Sequence, residues 1–321
     1  MVTPLTGPLV QGVHTLRGEG AVVRYHVHGT GPLCVAHPGG SGIAWEYLRA
    51  PALEKFLTMV YVEPVGTGDA GRLATHPHGY TRARYSQYLA ALIDYLPVPR
   101  VHLLGHSHGG FVAQYHALHF PDQLAGVVLY DSAPVTGPEH AEETARSVAK
   151  FAARNAGRPE VAAALEAFAA IPAIADDEAM VAAARGILPA YIADYWADTQ
   201  RWALLRESLR ATYISGRDEH GNPDLFDDRG VLGALAVPAL IVAGRHDVVC
   251  GVRWAEEMHE RIHDSRLLVL ERSGHFGHLE EPEQFAGAVA AFVATSGPDS
   301  ASPAVAAARP YSDRHTGNSH L

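Results

Sequence analysis

Short apolar runs recur along the chain, and most of them end next to a glycine, a proline or an acidic residue. Runs of this length, rich in valine, leucine and isoleucine, are typical of strands buried on both faces of a parallel sheet. The first predicted strand differs, because it alternates apolar and polar residues. The predicted strands span residues 21–28, 33–37, 59–64, 101–105, 126–131, 239–244 and 266–271.

Helical patterns separate several of these strands, at residues 81–95, 108–119, 251–262 and 281–294. Strands that alternate with helices predict an α/β protein with a mostly parallel, twisted sheet flanked by helices. Such sheets place their chemistry at the carboxyl ends of the strands. Reactive side chains are therefore expected directly after a strand.

One long segment, residues 135–232, interrupts this alternation with alanine-rich helical sequence and no strong strand. It predicts a helical lid inserted between two strands, so that residues 1–134 and 233–295 form the core. The last segment, residues 296–321, is rich in proline, serine and alanine and is expected to be a disordered tail.

The sequence Gly105-His106-Ser107-His108-Gly109 joins a predicted strand to a predicted helix. This G-x-S-x-G pattern is typical of a nucleophile elbow, a strained turn that exposes the serine hydroxyl above the sheet. The glycines are needed because side chains at their positions would collide with neighbouring backbone. The following helix directs its positive end toward the place where an oxyanion would form. Ser107 is therefore the predicted nucleophile.

A serine hydroxyl needs a base to take its proton, and after such an elbow the acid and the histidine follow in chain order. Asp247 and His275 meet this order, because each comes shortly after a predicted strand. Each has a rival, since Asp131 also ends a strand and His278 lies close to His275. Asp247 is preferred for its loop between a strand and a helix, and His275 for the glycine that precedes it.

The sequence HPGGSG at residues 37–42 predicts the second half of an oxyanion hole. Glycine lets this backbone approach a substrate closely, and backbone N–H groups stabilise the negative charge that develops on a carbonyl oxygen. The predicted donors are the amides of Gly40 and His108, with Gly39 as a further candidate. The candidate substrate-pocket side chains are His37, Tyr191, Tyr195 and Trp196, of which the last three could equally form the core of the lid.

Together these motifs resemble the α/β-hydrolase fold superfamily and, within it, the proline iminopeptidase-like serine hydrolases. PGGSG at 38–42 is similar to the HGGPG oxyanion loop of that branch, and GHSHGG at 105–110 is similar to its serine elbow. GRHD at 244–247 is similar to its acid loop, and SGHFGHLEEP at 273–282 is similar to its histidine loop. The resemblance implies an α/β-hydrolase fold with a helical lid and a Ser-Asp-His triad.

The resemblance covers about residues 20–295, with departures at two of its motifs. Pro38 stands where the branch has histidine, and Glu-Pro-Val at 63–65 stands where it has Asp-Gln-Arg. No acidic residue of the lid aligns with those that hold a free amino terminus in true iminopeptidases. A hydrolase of an ester, lactone or amide bond is therefore expected. The alternatives are an iminopeptidase-type aminopeptidase and a ligand-binding or lyase member of the fold.

Composition excludes several other classes of protein. A net charge of −10 without any basic run argues against a nucleic-acid or anionic-membrane partner. No membrane span or signal peptide is visible, and two cysteines, Cys34 and Cys250, are expected to be free thiols in a reducing cytoplasm. The expected partner is a small-molecule substrate, and no cofactor is expected.

The histidines around the elbow permit a metal hypothesis, with His106 and His108 as ligands together with His102 or His116. However, glycines and a phenylalanine follow His108, where a metallo-hydrolase pattern such as H-x-H-x-D-H would supply further ligands. No metal is therefore expected.

Overall fold

The computed structural model describes residues 7–18 and 21–296, and its centre is an eight-stranded sheet with the order β1-β2-β4-β3-β5-β6-β7-β8. Strand β2 runs antiparallel to both of its neighbours, and the other neighbouring pairs are parallel. This mostly parallel sheet confirms the predicted fold class. The strands are β1 Gly12–Gly18, β2 Ala21–Gly29, β3 Leu33–His37, β4 Thr58–Glu63, β5 Val101–His106, β6 Leu124–Tyr130, β7 Ala239–Gly244 and β8 Ser265–Leu270.

Ten α-helices lie in the described part of the chain, and those outside the segment between β6 and β7 flank the sheet. They are α1 Pro51–Glu54, α2 Arg82–Tyr95, α3 His108–His119, α4 Pro138–Arg154, α5 Pro159–Ala170, α6 Asp177–Tyr191, α7 Thr199–Ser208, α8 Val252–Arg261, α9 Gly277–Glu280 and α10 Pro282–Thr295. The four helices predicted outside the lid lie within one residue of α2, α3, α8 and α10.

Every predicted strand is present, whereas the sequence pattern does not predict β1. This strand lies at the edge of the sheet, and it pairs with β2 along its whole length. Its Val13 side chain is exposed, and Leu16 packs against the core only in part. Strand β1 is therefore held mainly by its hydrogen bonds to β2. This pairing is not visible in the pattern of apolar residues of β1 itself.

The sheet buries one apolar layer on each face. Successive residues of β3, such as Cys34 and Val35, belong to opposite layers, as the period of a strand requires. Helices α2, α3 and α8 cover one face, whereas α1 and α10 cover the other. Both faces are therefore dry, which explains why the strands have continuous apolar sequences.

Between β6 and β7 the chain forms α4 to α7, and the apolar faces of α6 and α7 join the sheet layer that contains α10. Helices α4 and α5 add a smaller apolar cluster around Phe151. This segment occupies the position predicted for the lid, and the boundaries at residues 135 and 232 stay a prediction. Of the predicted tail, residues 297–321 lie outside the described residues.

Both cysteines are free and buried, and burial raises the pKa of the Cys34 thiol to about 12. A thiol is unreactive when it stays protonated, so the two cysteines act as small apolar residues. No helix in the described ranges is both long and apolar enough to cross a membrane.

The turn from β5 to α3 brings backbone segments into unusually close contact. Ser107 has φ 53° and ψ −120°, a strained conformation for a residue with a side chain. A Cβ on Gly105 would overlap the carbonyl oxygen of Gly109, and a Cβ on Gly109 would overlap that of His37. The structure therefore contains the close backbone contacts that were predicted for the two glycines. Where β3, β5 and α3 meet, there is room for a hydrogen atom but not for a Cβ.

We expect Gly105→Ala to lower the free energy of unfolding by about 2 kcal/mol or more, because the new methyl group must displace backbone. The matched control is Gly287→Ala in α10, where a Cβ meets no atom within 4 Å. That variant should gain about 0.5–1 kcal/mol, since alanine is the better helix former. Urea unfolding curves measure both changes, and equal stability of the two variants would contradict the steric explanation.

Candidate active site

Ser107 and His275 line the same cavity, which has a volume of about 180 Å³ and lies at the carboxyl ends of the central strands. The oxyanion loop contributes Gly39, Gly40 and Ile43 to its wall. Helix α6 contributes Met180, Ala183, Ala184, Ile187, Leu188 and Tyr191. Among the described residues that line the cavity, none is Asp, Glu, Lys or Arg. The space in front of Ser107 is therefore apolar and carries no fixed charge.

Asp247 and His275 form a buried pair beside this cavity. Nδ1 of His275 lies 2.8 Å from Oδ2 of Asp247, and both side chains are almost fully buried. The other carboxylate oxygen of Asp247 accepts the N–H of Val249 at 2.8 Å. A carboxylate accepts hydrogen bonds, so Nδ1 of His275 donates and Nε2 is left with a free lone pair. This is the tautomer that a general base needs.

The two rival residues are bonded to other groups. Asp131 is fully buried, and its Oδ1 accepts the N–H of Gly244 at 2.7 Å. Burial, together with the nearby Asp247 carboxylate, holds the pKa of Asp131 well above its ordinary value. Burial therefore favours the neutral form of Asp131. His278 uses both ring nitrogens, with Tyr130 and with the backbone carbonyl of Tyr47.

Two backbone amides remain free near Ser107. In the described part of the chain, neither Gly40 nor His108 donates its N–H to another residue. His108 begins α3, whose first turn has no side-chain cap, so its amide adds to the positive end of the helix. The third candidate is different, because the N–H of Gly39 donates to the Tyr47 hydroxyl at 2.6 Å. Gly39 therefore supports the loop rather than offering a free donor.

Of the four predicted pocket side chains, the structure places only Tyr191 at the cavity. The other three do not line it: His37 is buried and bonded to the carbonyl of Pro38, because it faces into the fold rather than above the sheet. Tyr195 is buried in the apolar layer that α6 and α7 share with α10 and the sheet. Trp196 donates its indole N–H to Glu160 and stacks on Phe151. Tyr195 and Trp196 thus pack against other side chains, as the lid-core alternative expects, and their contact with a substrate stays a prediction.

Most of the side chains that form the cavity wall were not predicted from the sequence. The α6 residues that line it recur three or four positions apart, from Met180 to Tyr191, which is the spacing of one helix face. That signal was present in the sequence, but alanine occupies several positions and weakens the apolar contrast. Tyr47, Leu209 and Phe276 lie far apart in the sequence, and no local pattern unites them.

The end of α6 is joined to the loop that carries His275. The carbonyl of Tyr191 accepts the N–H of His275 at 2.7 Å, and the two rings lie 4.7 Å apart. Glu280 accepts the N–H groups of Ala193 and Gly274 at 2.7 and 2.8 Å, one on each carboxylate oxygen. The lid and the histidine loop are therefore held by shared backbone hydrogen bonds, and burial raises the pKa of Glu280 to about 7.

One cluster of described residues has the composition of a metal site: His106, Asp131 and His275, whose ligand atoms lie within 4.8 Å of one another. Both nitrogens of His106 are engaged in hydrogen bonds, and Nδ1 of His275 is engaged with Asp247. Hydrogen bonds therefore occupy both nitrogens of His106 and one of His275, whereas Oδ2 of Asp131 has no partner among the described residues. Of the histidines in the sequence hypothesis, His102 and His116 bond to serine hydroxyls elsewhere in the fold.

The elbow, the buried Asp–His pair and the mostly parallel sheet define the class of protein. A family model described as alpha/beta hydrolase fold matches residues 32–282. The chain belongs to this family, and it is an enzyme of the hydrolase type.

Named relatives and solved structures agree with this assignment. The 3-oxoadipate enol-lactonase 2 of Acinetobacter baylyi is 25% identical over 248 residues, which are 77% of this chain and 82% of the relative. A hydrolase structure from Pseudomonas aeruginosa PA01 superposes with a TM-score of 0.66 at 26% identity, covering 88% of this chain and 98% of that one. The proline iminopeptidase of Mycobacterium smegmatis superposes with a TM-score of 0.64 at 21% identity, covering 89% and 98%. This last likeness concerns the fold alone.

We expect Asp247→Asn to lower kcat by about 10²–10⁴-fold, because an amide would not hold the same His275 tautomer or stabilise its cation. Asp131→Asn is the matched control, since burial favours the neutral form of this acid and an amide is its closest neutral substitute. Asparagine keeps an acceptor for the N–H of Gly244 and tolerates the positive φ of 44°. The control should keep kcat within about tenfold of wild type, and a reversed order of the two losses would show that Asp131 is the acid.

Glu280→Gln should remove a pH dependence of stability. The folded chain holds the Glu280 proton up to about pH 7, whereas the unfolded chain releases it near 4.5. The unfolding free energy of the wild type therefore falls as pH rises through this window, by about 1–3 kcal/mol relative to the glutamine variant. Urea unfolding of both proteins between pH 4.5 and 7.5 measures the difference, and parallel profiles would contradict it.

Proposed function

We propose that the chain is a serine hydrolase that cleaves an ester, lactone or amide bond through an acyl-enzyme on Ser107. The observation that supports this most directly is the 2.8 Å bond between His275 and Asp247 at a cavity that also contains the elbow serine. Ser107 and His275 line the cavity, Asp247 is bonded to His275 beside it, and the three residues follow three different strands, β5, β7 and β8.

The reaction then proceeds in two halves. Ser107 Oγ attacks the carbonyl carbon as Nε2 of His275 takes its proton, and Asp247 stabilises the resulting imidazolium. The free N–H groups of Gly40 and His108 hold the oxyanion, an interaction whose loss commonly costs about 3–4 kcal/mol. His275 gives the proton to the leaving alcohol or amine, which departs as the acyl-enzyme forms. Water attacks the acyl-enzyme by the same route and restores Ser107.

The wall of the cavity supports a neutral, apolar acyl group as the part of the substrate that Ser107 receives. A free ammonium group at this place would lose its hydration without meeting a carboxylate, because no acidic side chain lines the described cavity. The same reasoning disfavours a substrate with a carboxylate on the acyl chain, since no arginine or lysine faces it. An aminopeptidase is therefore less compatible with this site than an esterase or lactonase.

Labelling with a fluorophosphonate tests the nucleophile. We expect the wild type to gain one phosphonyl group on Ser107, with complete loss of esterase activity, and Ser107→Ala to remain unlabelled. Intact-protein mass spectrometry and p-nitrophenyl ester hydrolysis measure the two effects, with a chelator as the control for metal catalysis. Esterase activity that survives in Ser107→Ala, or that only the chelator removes, would overturn the proposal.

The pocket assignment is tested by a matched pair of substitutions in α6. Ala184 lines the cavity, whereas Ala182 is exposed on the same helix. Ala184→Phe should lower kcat/KM for a p-nitrophenyl octanoate by about tenfold or more relative to the acetate, because each methylene in an apolar pocket contributes about 1–3 kcal/mol. Ala182→Phe should leave this ratio unchanged. A panel with proline p-nitroanilide included should show turnover of the neutral esters and none of the anilide.

A further inference from the structure

A hydrogen-bonded connection runs along the wall of the cavity from the oxyanion loop to the histidine loop. It begins at Gly39, whose N–H donates to the Tyr47 hydroxyl at 2.6 Å. The same hydroxyl lies 2.7 Å from Nδ1 of His106. Nε2 of His106 lies 2.8 Å from the backbone carbonyl of His275. Two buried side chains therefore connect the segment that holds the oxyanion donor to the segment that holds the general base.

The direction of each hydrogen bond follows from one end of the connection. The carbonyl of His275 can only accept, so Nε2 of His106 carries the proton and donates it. A neutral imidazole then has a bare Nδ1, which accepts the O–H of Tyr47. The hydroxyl oxygen in turn accepts the N–H of Gly39. Burial and the neighbouring histidines lower the pKa of His106, and burial raises the pKa of Tyr47, so both side chains stay neutral.

We propose that Tyr47 and His106 act together as positioning residues, which set the oxyanion loop and the His275 loop at a fixed separation around Ser107. This inference rests on the hydrolase function proposed above. Gly39 lies directly against the nucleophile, since a Cβ there would be 2.7 Å from Cβ of Ser107. A shift of this loop therefore moves the Gly40 amide relative to the attacking oxygen, and a misplacement of about 1 Å can cost 10²-fold in rate.

A second tyrosine–histidine pair in the same layer provides the control. The Tyr130 hydroxyl lies 2.9 Å from Nδ1 of His278 and accepts the N–H of His278 at 3.0 Å. Like Tyr47, Tyr130 is buried, donates to an imidazole and accepts from a backbone amide. Its amide partner belongs to α9 and not to the oxyanion loop. Tyr47→Phe and Tyr130→Phe thus remove the same chemical group, and only the first releases Gly39.

The experiment compares the phosphonylation of Ser107 in these two variants. We expect Tyr47→Phe to lower the maximal rate of labelling by about tenfold or more at an unchanged half-saturating probe concentration, because the transition state loses alignment while probe binding persists. Tyr130→Phe should stay within about threefold of wild type in rate. Thermal unfolding should show similar losses of stability for both, since each leaves a buried amide and a buried imidazole without a partner.

A double-mutant cycle with His106→Gln tests whether the two residues act as one unit. Glutamine can still reach the His275 carbonyl, but it places no acceptor at the position of Nδ1. The Tyr47→Phe/His106→Gln protein should therefore be no slower than Tyr47→Phe, within about twofold. Losses that multiply, or equal rates in the two tyrosine variants, would overturn the inference. Failure of the wild type to react would instead overturn the proposed hydrolase function, and the inference with it.

Discussion

The site depends on the strained turn at Ser107, where a residue with a side chain adopts a positive φ of 53°. Such conformations cost about 1–3 kcal/mol and persist only where the surroundings enforce them. Here the surroundings are two glycine contacts that bring β3, β5 and α3 together, and a backbone bond from Ser107 N–H to the carbonyl of Tyr130. The same contacts that create the strain also place the hydroxyl above the sheet and a helix end beside it.

The two buried carboxyl groups near this turn, those of Asp247 and Asp131, differ in their hydrogen-bond partners. Asp247 accepts hydrogen bonds from the imidazole of His275 and from the backbone N–H of Val249. Asp131 has one backbone amide, and its Oδ2 has no partner among the described residues, so the neutral form is favoured. Two carboxyl groups lie close together in a dry layer, yet only one is paired with the imidazole.

The sequence was sufficient to predict those features that depend on residues close together in the chain. The elbow, the acid loop and the histidine loop each follow a strand with a continuous apolar pattern, and each is a local motif. The cavity wall is different, because Tyr47, Leu209 and Phe276 meet only after the sheet has formed and the lid has packed on it. The role of Gly39 could not be predicted for the same reason, since its amide is occupied by a hydroxyl that is eight residues away. The periodicity of a sequence predicts its helices and strands. The contacts between side chains of different elements become visible only in the folded structure.

The bond between the Tyr191 carbonyl and the His275 N–H joins the predicted lid to the loop that carries the proposed general base. Transplanting a lid from another member of the family into this chain would therefore alter the loop that carries His275 unless the graft ends before residue 191. Chimeras intended to exchange substrate preference should keep residues 191–193 from the recipient and vary only the chain before them. The peptide group of Tyr191 thus connects the helix that lines the cavity to the loop that carries His275.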